Sequence, residues 1–252
     1  MTLDIARVAM LLKRRFLLDS RGSLAILGPA FLVYVFAAVT TANDLEQGSG
    51  APFALIWYGI FLLGIGYFAS SNVISELSTA EGRQAYLTLP ASDTEKWLSA
   101  WLFSGPIFLI VFTLLYGLVT VLVNALLGIW AAPKLAFDPF GDGALHLMQI
   151  YLLGINPVAL LGGIVFNRFA FAKTAGIAAA VSVAFGLLTM LTVRIIYNDH
   201  FTGFFTPVGD GPNVHVDNPF EASGIGSAWV TIAVATTLLL AASYFKVQEK
   251  EV

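Results

Sequence analysis

The sequence contains no cysteine among its 252 residues, and charged residues make up only 12% of it. The lack of cysteine excludes disulfides, thiolate nucleophiles and cysteine-liganded zinc or iron–sulfur centres in this chain. Soluble domains carry about 25% charged residues. The low charge, together with 58% hydrophobic residues and a mean hydropathy of +0.81, therefore indicates an integral membrane protein.

Residues that could carry catalysis or hold a cofactor are also scarce. The 3 histidines are scattered and form no metal-ligand motif such as H-E-x-x-H. The lone Lys-Thr pair, Lys173-Thr174, follows Ala172 where a phosphate-binding loop needs glycine. We therefore expect that this chain is not an enzyme and binds no cofactor or metal, and that any ATP hydrolysis occurs on a separate polypeptide.

Long apolar runs dominate the remainder of the chain. Each run is close to or above the ~20 residues that a helix needs to cross ~30 Å of hydrocarbon. The sequence therefore predicts an all-α membrane protein with a single transmembrane domain over residues 1–252. Its six predicted spans cover about 24–42, 51–73, 98–130, 144–166, 174–196 and 225–245.

The N-terminal segment 3–21 differs from these spans because its apolar residues recur at helical spacing among basic ones. The pattern predicts an amphipathic helix in the membrane interface, with its basic side chains toward anionic headgroups. An ordinary amphipathic helix packed on protein is the alternative.

The distribution of basic residues predicts the orientation. Of the 13 Lys and Arg residues, all but Lys134 and Arg194 lie in the N-terminal segment, the C-terminal tail or the segments 76–97 and 167–173. By the positive-inside rule these regions and both termini are cytoplasmic. The acidic segment 197–224, rich in glycine and proline, is then an irregular external loop.

The segment 76–97 is the most structured of the predicted loops. Ser78-x-x-Glu81 and Ser92-x-x-Glu95 each fit a capping box, and Leu89-Pro90 should end a short helix between them. The segment is either a contact point for a soluble partner or a solvated connector.

Two prolines interrupt the predicted spans. Gly105-Pro106 predicts a kink in the third span, and Asn156-Pro157 lies near the centre of the fourth. The second proline frees a carbonyl that another side chain or a water must satisfy. Each site is a candidate hinge or a static bend. Asn124 and Asn156 either line a path or hydrogen-bond between helices.

Taken together, the basic N-terminal helix, the six spans and the helical loop after the second span resemble permease subunits of ABC-2 type exporters. The letters RQAYLTLPAS at 83–92, followed by EKWL at 95–98, are similar to the family's loop ending, and closest to a bacterial branch with LPAS-x-x-EK.

The resemblance implies that the loop is a coupling helix that docks on an ATP-hydrolysing subunit. It assigns the contact with that subunit to Glu81, Arg83, Tyr86, Leu87, Leu89 and Pro90, although Glu81-Gly82 stands where many members of the family have Gly-Thr. It further implies ATP and Mg²⁺ on that partner, a second permease copy (identical or different), and a bacterial inner-membrane location without nucleic-acid partners. A membrane scaffold or assembly factor that transports nothing is the alternative.

Overall fold

The computed structural model describes residues 4–41, 50–73, 84, 88, 91–129, 135–166, 169–196 and 225–251. Within these ranges the chain is helical, and no strand occurs. The helices are α1 (Ile5–Thr40), α2 (Gly50–Asn72), α3 (Asp93–Leu127), α4 (Asp142–Val165), α5 (Ala170–Ile196) and α6 (Ile225–Glu251). The predicted all-α class is therefore confirmed.

Four of the helices are long and apolar enough to cross a membrane, judged on the described residues. Their apolar stretches are Pro52–Asn72, Asp93–Leu127, Asp142–Val165 and Ala170–Thr192. A shorter apolar stretch, Leu27–Thr40, forms the end of α1. These helices make the chain a membrane-embedded, multi-pass protein, while the full count of six spans stays a prediction.

Helix α1 differs from the expected division into an interfacial helix at 3–21 and a span at 24–42. A single helix of 36 residues covers both segments without interruption, which corresponds to a length of about 54 Å. The two residues between them, Gly22 and Ser23, include one glycine and no proline. A single glycine costs about 1 kcal/mol in a helix interior, which is too little to end a long helix.

One end of the bundle has an aromatic core in which α1, α2, α3 and the segment before α4 meet. Tyr116 lies at its centre, with ring centroids 5.1 Å from Tyr34, 5.3 Å from Tyr58 and 4.9 Å from Phe137. The Tyr116 hydroxyl donates to the Ala54 carbonyl at 2.6 Å. Each ring thus buries a large apolar area while this polar tip finds an acceptor.

The opposite end of the bundle brings together segments that are far apart in the chain. Val73, at the end of α2, packs with Ala100 of α3, Ile164 of α4 and Val247 of α6. The start of α1 contacts the start of α3 at the same end. The beginning of α1, the end of α6 and both flanks of the 74–90 segment therefore share one end of the bundle.

Close backbone contact between α2 and α4 depends on Gly163. A Cβ atom built at this position would lie 2.4 Å from the Ser71 carbonyl oxygen, which belongs to backbone and cannot rotate away. Small residues allow membrane helices to approach in this manner.

We predict that Gly163→Ala lowers the free energy of unfolding by about 1–3 kcal/mol, because overpacking forces the two helices apart. Gly64→Ala is the matched control, since among the described residues no atom beyond its own helix backbone lies within 4 Å of a Cβ at that position. It should be neutral or stabilising, because alanine is favoured over glycine in helices by about 0.5–1 kcal/mol. Unfolding by sodium dodecyl sulfate in mixed micelles measures both, and equal effects would contradict the proposed contact.

Candidate functional site: two facing π-helical segments

The regular hydrogen bonding of α3 is interrupted by a π-helical segment, Phe103–Ile107, that contains Gly105 and Pro106. The Phe108 N–H donates to the carbonyl of Phe103, five residues back, and to that of Gly105. In a regular α-helix its partner would be the Ser104 carbonyl. That carbonyl accepts the hydroxyl of Tyr151 from α4.

A second π-helical segment, Tyr151–Ile155, interrupts α4 immediately before Asn156 and Pro157. The Asn156 N–H donates to the Tyr151 carbonyl, five residues back. Pro157 has no N–H, so it cannot bond the carbonyl four residues before it, that of Leu153. The hydroxyl of Thr236 in α6 lies 2.6 Å from this carbonyl and 2.8 Å from the Ile232 carbonyl of its own helix, so its single hydrogen is shared between the two. The freed carbonyl expected from the proline is thus satisfied by a neighbouring side chain.

A cluster of uncharged polar side chains lies where the two π-helical segments meet α2. Its members, which we call the polar cluster, are Ser70, Ser104, Tyr151 and Asn156, each at most 1% exposed. The Asn156 amide nitrogen lies 2.9 Å from Ser70 Oγ and 3.0 Å from Ser104 Oγ. Ser70 Oγ lies 3.1 Å from the Tyr151 hydroxyl. Three helices are therefore joined by side-chain hydrogen bonds.

The donors and acceptors of the polar cluster fix one direction of hydrogen bonding. Because the Tyr151 hydroxyl donates to the Ser104 carbonyl, it accepts from Ser70, and Ser70 in turn accepts from the Asn156 amide. The second amide hydrogen is directed to Ser104 Oγ. Asn156 donates both hydrogens of its amide, so the series of hydrogen bonds in the polar cluster starts at this residue.

The remaining polar atom of Asn156 is its side-chain oxygen, which is buried and accepts no hydrogen bond from the described residues. It faces Gly105, where an added Cβ would lie 3.4 Å away. A buried polar atom without a partner usually has a structural or functional reason. Here the oxygen belongs to one predicted hinge, at Asn156 and Pro157, and faces the other, at Gly105.

The structure thus brings the four predicted hinge residues together. Gly105 and Pro106 lie inside one π-helical segment, and Asn156 and Pro157 directly follow the other. Such segments are frequent at functional sites. Whether the helices bend here during function stays a prediction.

Sequence reasoning did not identify Ser70, Ser104, Tyr151 or Thr236 as partners of these sites. The available signal was the presence of polar residues within apolar spans, where they are scarce and usually face protein. Asn124 bonds the non-helical segment before α4 rather than another helix. Its amide exchanges two hydrogen bonds with the Leu135 backbone, at 2.7 and 2.9 Å.

The six residues assigned to ATPase contact, Glu81, Arg83, Tyr86, Leu87, Leu89 and Pro90, lie outside the described residues, as does the predicted cap Ser78-x-x-Glu81. Within the loop Gln84 is helical, and its carbonyl accepts the Thr88 N–H at 3.1 Å. This four-residue bond fits the predicted short helix.

The second capping box of the loop is confirmed. Ser92 Oγ accepts the Glu95 N–H at 3.3 Å, and Glu95 Oε2 accepts the Ser92 N–H at 2.9 Å. The other carboxylate oxygen of Glu95 accepts the backbone N–H of Asp4 at 2.9 Å. The buried Glu95 carboxylate therefore fixes the start of α3 and also holds the start of α1.

A second contact joins α1 to the other flank of the loop. Arg15, only 8% exposed, donates to the carbonyl of Val73 at the end of α2. Together the contacts of Glu95 and Arg15 form what we call the loop clasp. The loop clasp attaches both flanks of the 74–90 segment to one helix.

Helix α6 reinforces the same end of the bundle. The Trp97 indole N–H donates to Ser243 Oγ at 2.8 Å, and the hydroxyls of Thr94 and Tyr244 lie 3.2 Å apart. The first turns of α3 are thus held by both α1 and α6.

Comparison with known proteins adds no relative to this description. No protein-family model, curated protein or solved structure matches the chain.

The bond between Thr236 and the Leu153 carbonyl can be tested by a double-mutant cycle. We predict that Thr236→Val lowers the free energy of unfolding by about 0.6 kcal/mol, the average for hydrogen bonds between membrane helices, and by no more than about 1.7 kcal/mol, the largest value for such a bond. In a Pro157→Ala background the loss should be smaller, because the backbone N–H restored at position 157 can bond the same carbonyl.

Unfolding of the four proteins in mixed micelles gives the coupling energy. Thr237→Val serves as the matched control, because within the part of the chain that the structure describes the Thr237 hydroxyl bonds its own helix alone, at the Ala233 carbonyl. A loss at Thr236 that is unchanged by the proline substitution would show that the two residues do not share the carbonyl.

Proposed function

We propose that this chain is the membrane-spanning permease subunit of an ATP-driven ABC transporter, of the exporter type, which couples through its 78–90 loop to a separate ATPase. The loop clasp is the observation that carries the proposal. It supports a mechanical role because a loop that transmits force must be attached firmly at both flanks to the helices it moves.

The mechanism follows from the connection between the loop clasp and the π-helical segments. Ten helical residues, Asp93–Leu102, separate the Ser92 cap from the π-helical segment of α3, a distance of about 15 Å along the helix. ATP binding and hydrolysis on the partner would tilt this short rigid piece. The π-helical segment would absorb the tilt, and the polar cluster would pass it to α2 and α4.

The orientation in this proposal rests on the basic residues. Eleven of the 13 Lys and Arg residues lie in segments assigned to the cytoplasmic side. The shared end of the bundle fits this assignment, since the start of α1, the end of α6 and the loop flanks occur together there. The membrane would be the bacterial inner membrane, with both termini in the cytoplasm.

A second permease copy is part of the proposal, and α5 offers the surface for it. Only 6% of its apolar stretch is buried, against 39% for α2. Gly176, Ala180 and Ala184 recur four residues apart on its exposed surface, in the spacing by which membrane helices associate closely. The pathway would lie between the two copies.

The scaffold alternative makes different demands on the structure. A static scaffold needs neither interrupted helices nor a firmly held loop. The two π-helical segments facing each other across an uncharged cluster favour the moving assembly, since each segment interrupts the backbone bonding that makes a helix rigid.

The first test is binding to the ATPase subunit. We expect the protein to co-purify with an ATP-hydrolysing subunit encoded beside it, and Arg83→Glu or Leu87→Asp to reduce the recovered subunit at least tenfold. Each change places a charge that the partner surface does not match, at a central contact.

Lys173→Glu is the matched control, because it reverses a charge on the same predicted side of the membrane outside the loop. It should retain the ATPase subunit. An unaltered protein that recovers no such subunit would refute the proposal, and equal losses in all three variants would show that the loop is not the contact.

The second test is the location of the loop. Since the chain has no native cysteine, a Gln84→Cys variant carries a single thiol on an exposed helical residue. In intact cells it should resist a membrane-impermeant maleimide and react only after permeabilisation. Asp210→Cys, in the predicted external loop, should react in intact cells. Labelling of the Gln84→Cys thiol in intact cells would place the loop outside and reject the coupling role.

A further inference from the structure

A groove runs between the N-terminal part of α1 and the π-helical segment of α3. Its volume is about 460 Å³, within the usual range of ligand sites. Leu12 and Phe16 are one helical turn apart on α1, as are Lys13 and Leu17. The facing wall is formed by Phe103 and Ile107, the first and last residues of the π-helical segment.

The chemistry of the groove is apolar with a single charged residue. Five of its six lining residues are hydrophobic, and the sixth, Lys13, lines it with its aliphatic stem and leaves its ammonium outside the apolar lining. Lys13 and Phe16 are both exposed, so the groove opens to the surroundings of the protein. A matching ligand needs a long apolar part and a negative charge at one end.

We propose that this groove binds an anionic phospholipid of the bilayer. One acyl chain would lie along Leu12, Phe16 and Ile107, and the headgroup phosphate would meet the Lys13 ammonium. The bilayer is the solvent of this multi-pass chain, so the ligand is present at high concentration. An uncharged lipid would fill the apolar part equally well, and Lys13 is therefore the source of selectivity.

The position of the groove gives the lipid a way to act on the protein. Phe103 and Ile107 bracket Gly105 and Pro106, so a chain held against them touches the interrupted part of α3. A bound lipid would favour whichever arrangement of this segment leaves the groove open. The inference needs only the membrane location and does not depend on the proposed ATPase partner.

The test measures which lipid occupies the groove. Met10→Cys provides the only thiol of the chain, on α1 one turn before Lys13 and 64% exposed, and it is labelled with a small fluorophore. The protein is reconstituted in vesicles containing brominated phosphatidylglycerol or brominated phosphatidylcholine, whose acyl chains quench the label on contact. Val121→Cys is labelled as the control position. It is also 64% exposed, and it lies in the half of α3 that is distant from the π-helical segment.

At Met10 the anionic lipid should reach half-maximal quenching at about fivefold lower mole fraction than the neutral one, the factor expected for one basic side chain at the surface. Lys13→Gln should remove this preference, whereas Lys173→Gln should preserve it. At Val121 the two lipids should quench alike. Circular dichroism and unfolding in mixed micelles confirm that the variants are folded.

Three results would overturn the proposal. Equal quenching by the two lipids at Met10 would show ordinary contact with bulk lipid. A preference that survives Lys13→Gln would assign the selectivity to another group. Absence of quenching by either lipid would show that protein, such as a second copy of the chain, covers the groove.

Discussion

The structure depends on a constraint that hydrocarbon imposes on every backbone group. Inside a membrane there is no water to bond a carbonyl that a helix leaves free, so each such carbonyl needs another donor. Two carbonyls illustrate the consequence. The Leu153 carbonyl, freed by Pro157, accepts the Thr236 hydroxyl, and the Ser104 carbonyl, within the other interrupted helix, accepts the Tyr151 hydroxyl. Each interruption thereby creates a contact between helices, α4 with α6 in the first case and α3 with α4 in the second.

This arrangement places one π-helical segment and the Glu95 contact of the loop clasp on a single helix, α3. Helix α3 begins at the Ser92 cap, where Glu95 holds the start of α1. It reaches its π-helical segment ten residues later. A displacement at the start of α3 therefore meets α1 and α6 first and the polar cluster next. Tight packing at Gly163 keeps α2 and α4 in contact at the same end of the bundle as the loop clasp, so the displacement meets packed rather than loose helices.

The helices themselves could be predicted well from the sequence, because apolar length alone is a strong signal. The second span, predicted at 51–73, is observed as Gly50–Asn72, and the fourth, predicted at 144–166, as Asp142–Val165. The capping box at Ser92 and the need of the Leu153 carbonyl for a donor also follow from the letters. The identity of that donor does not, because Thr236 lies 83 residues away from Leu153 and becomes a partner only once the helices are arranged. The continuity of α1 was missed for a different reason: a run of basic residues changes where a helix can lie in a bilayer, but it does not end the helix.

The uncharged character of the polar cluster bears on what it can do. A buried ion pair would hold the two π-helical segments in one arrangement, because separating the charges in hydrocarbon is strongly unfavourable. Hydrogen bonds among hydroxyl and amide groups between membrane helices contribute only about 0.6 kcal/mol each on average, so they can exchange partners at small cost. The Asn156 side-chain oxygen lacks a donor among the described residues. An exchange of partners that supplies a donor to this oxygen is therefore favoured. A shift of α3 that brings a donor to this oxygen would compensate for a bond lost elsewhere in the cluster. The coupling proposed for this chain would require two such arrangements of similar free energy.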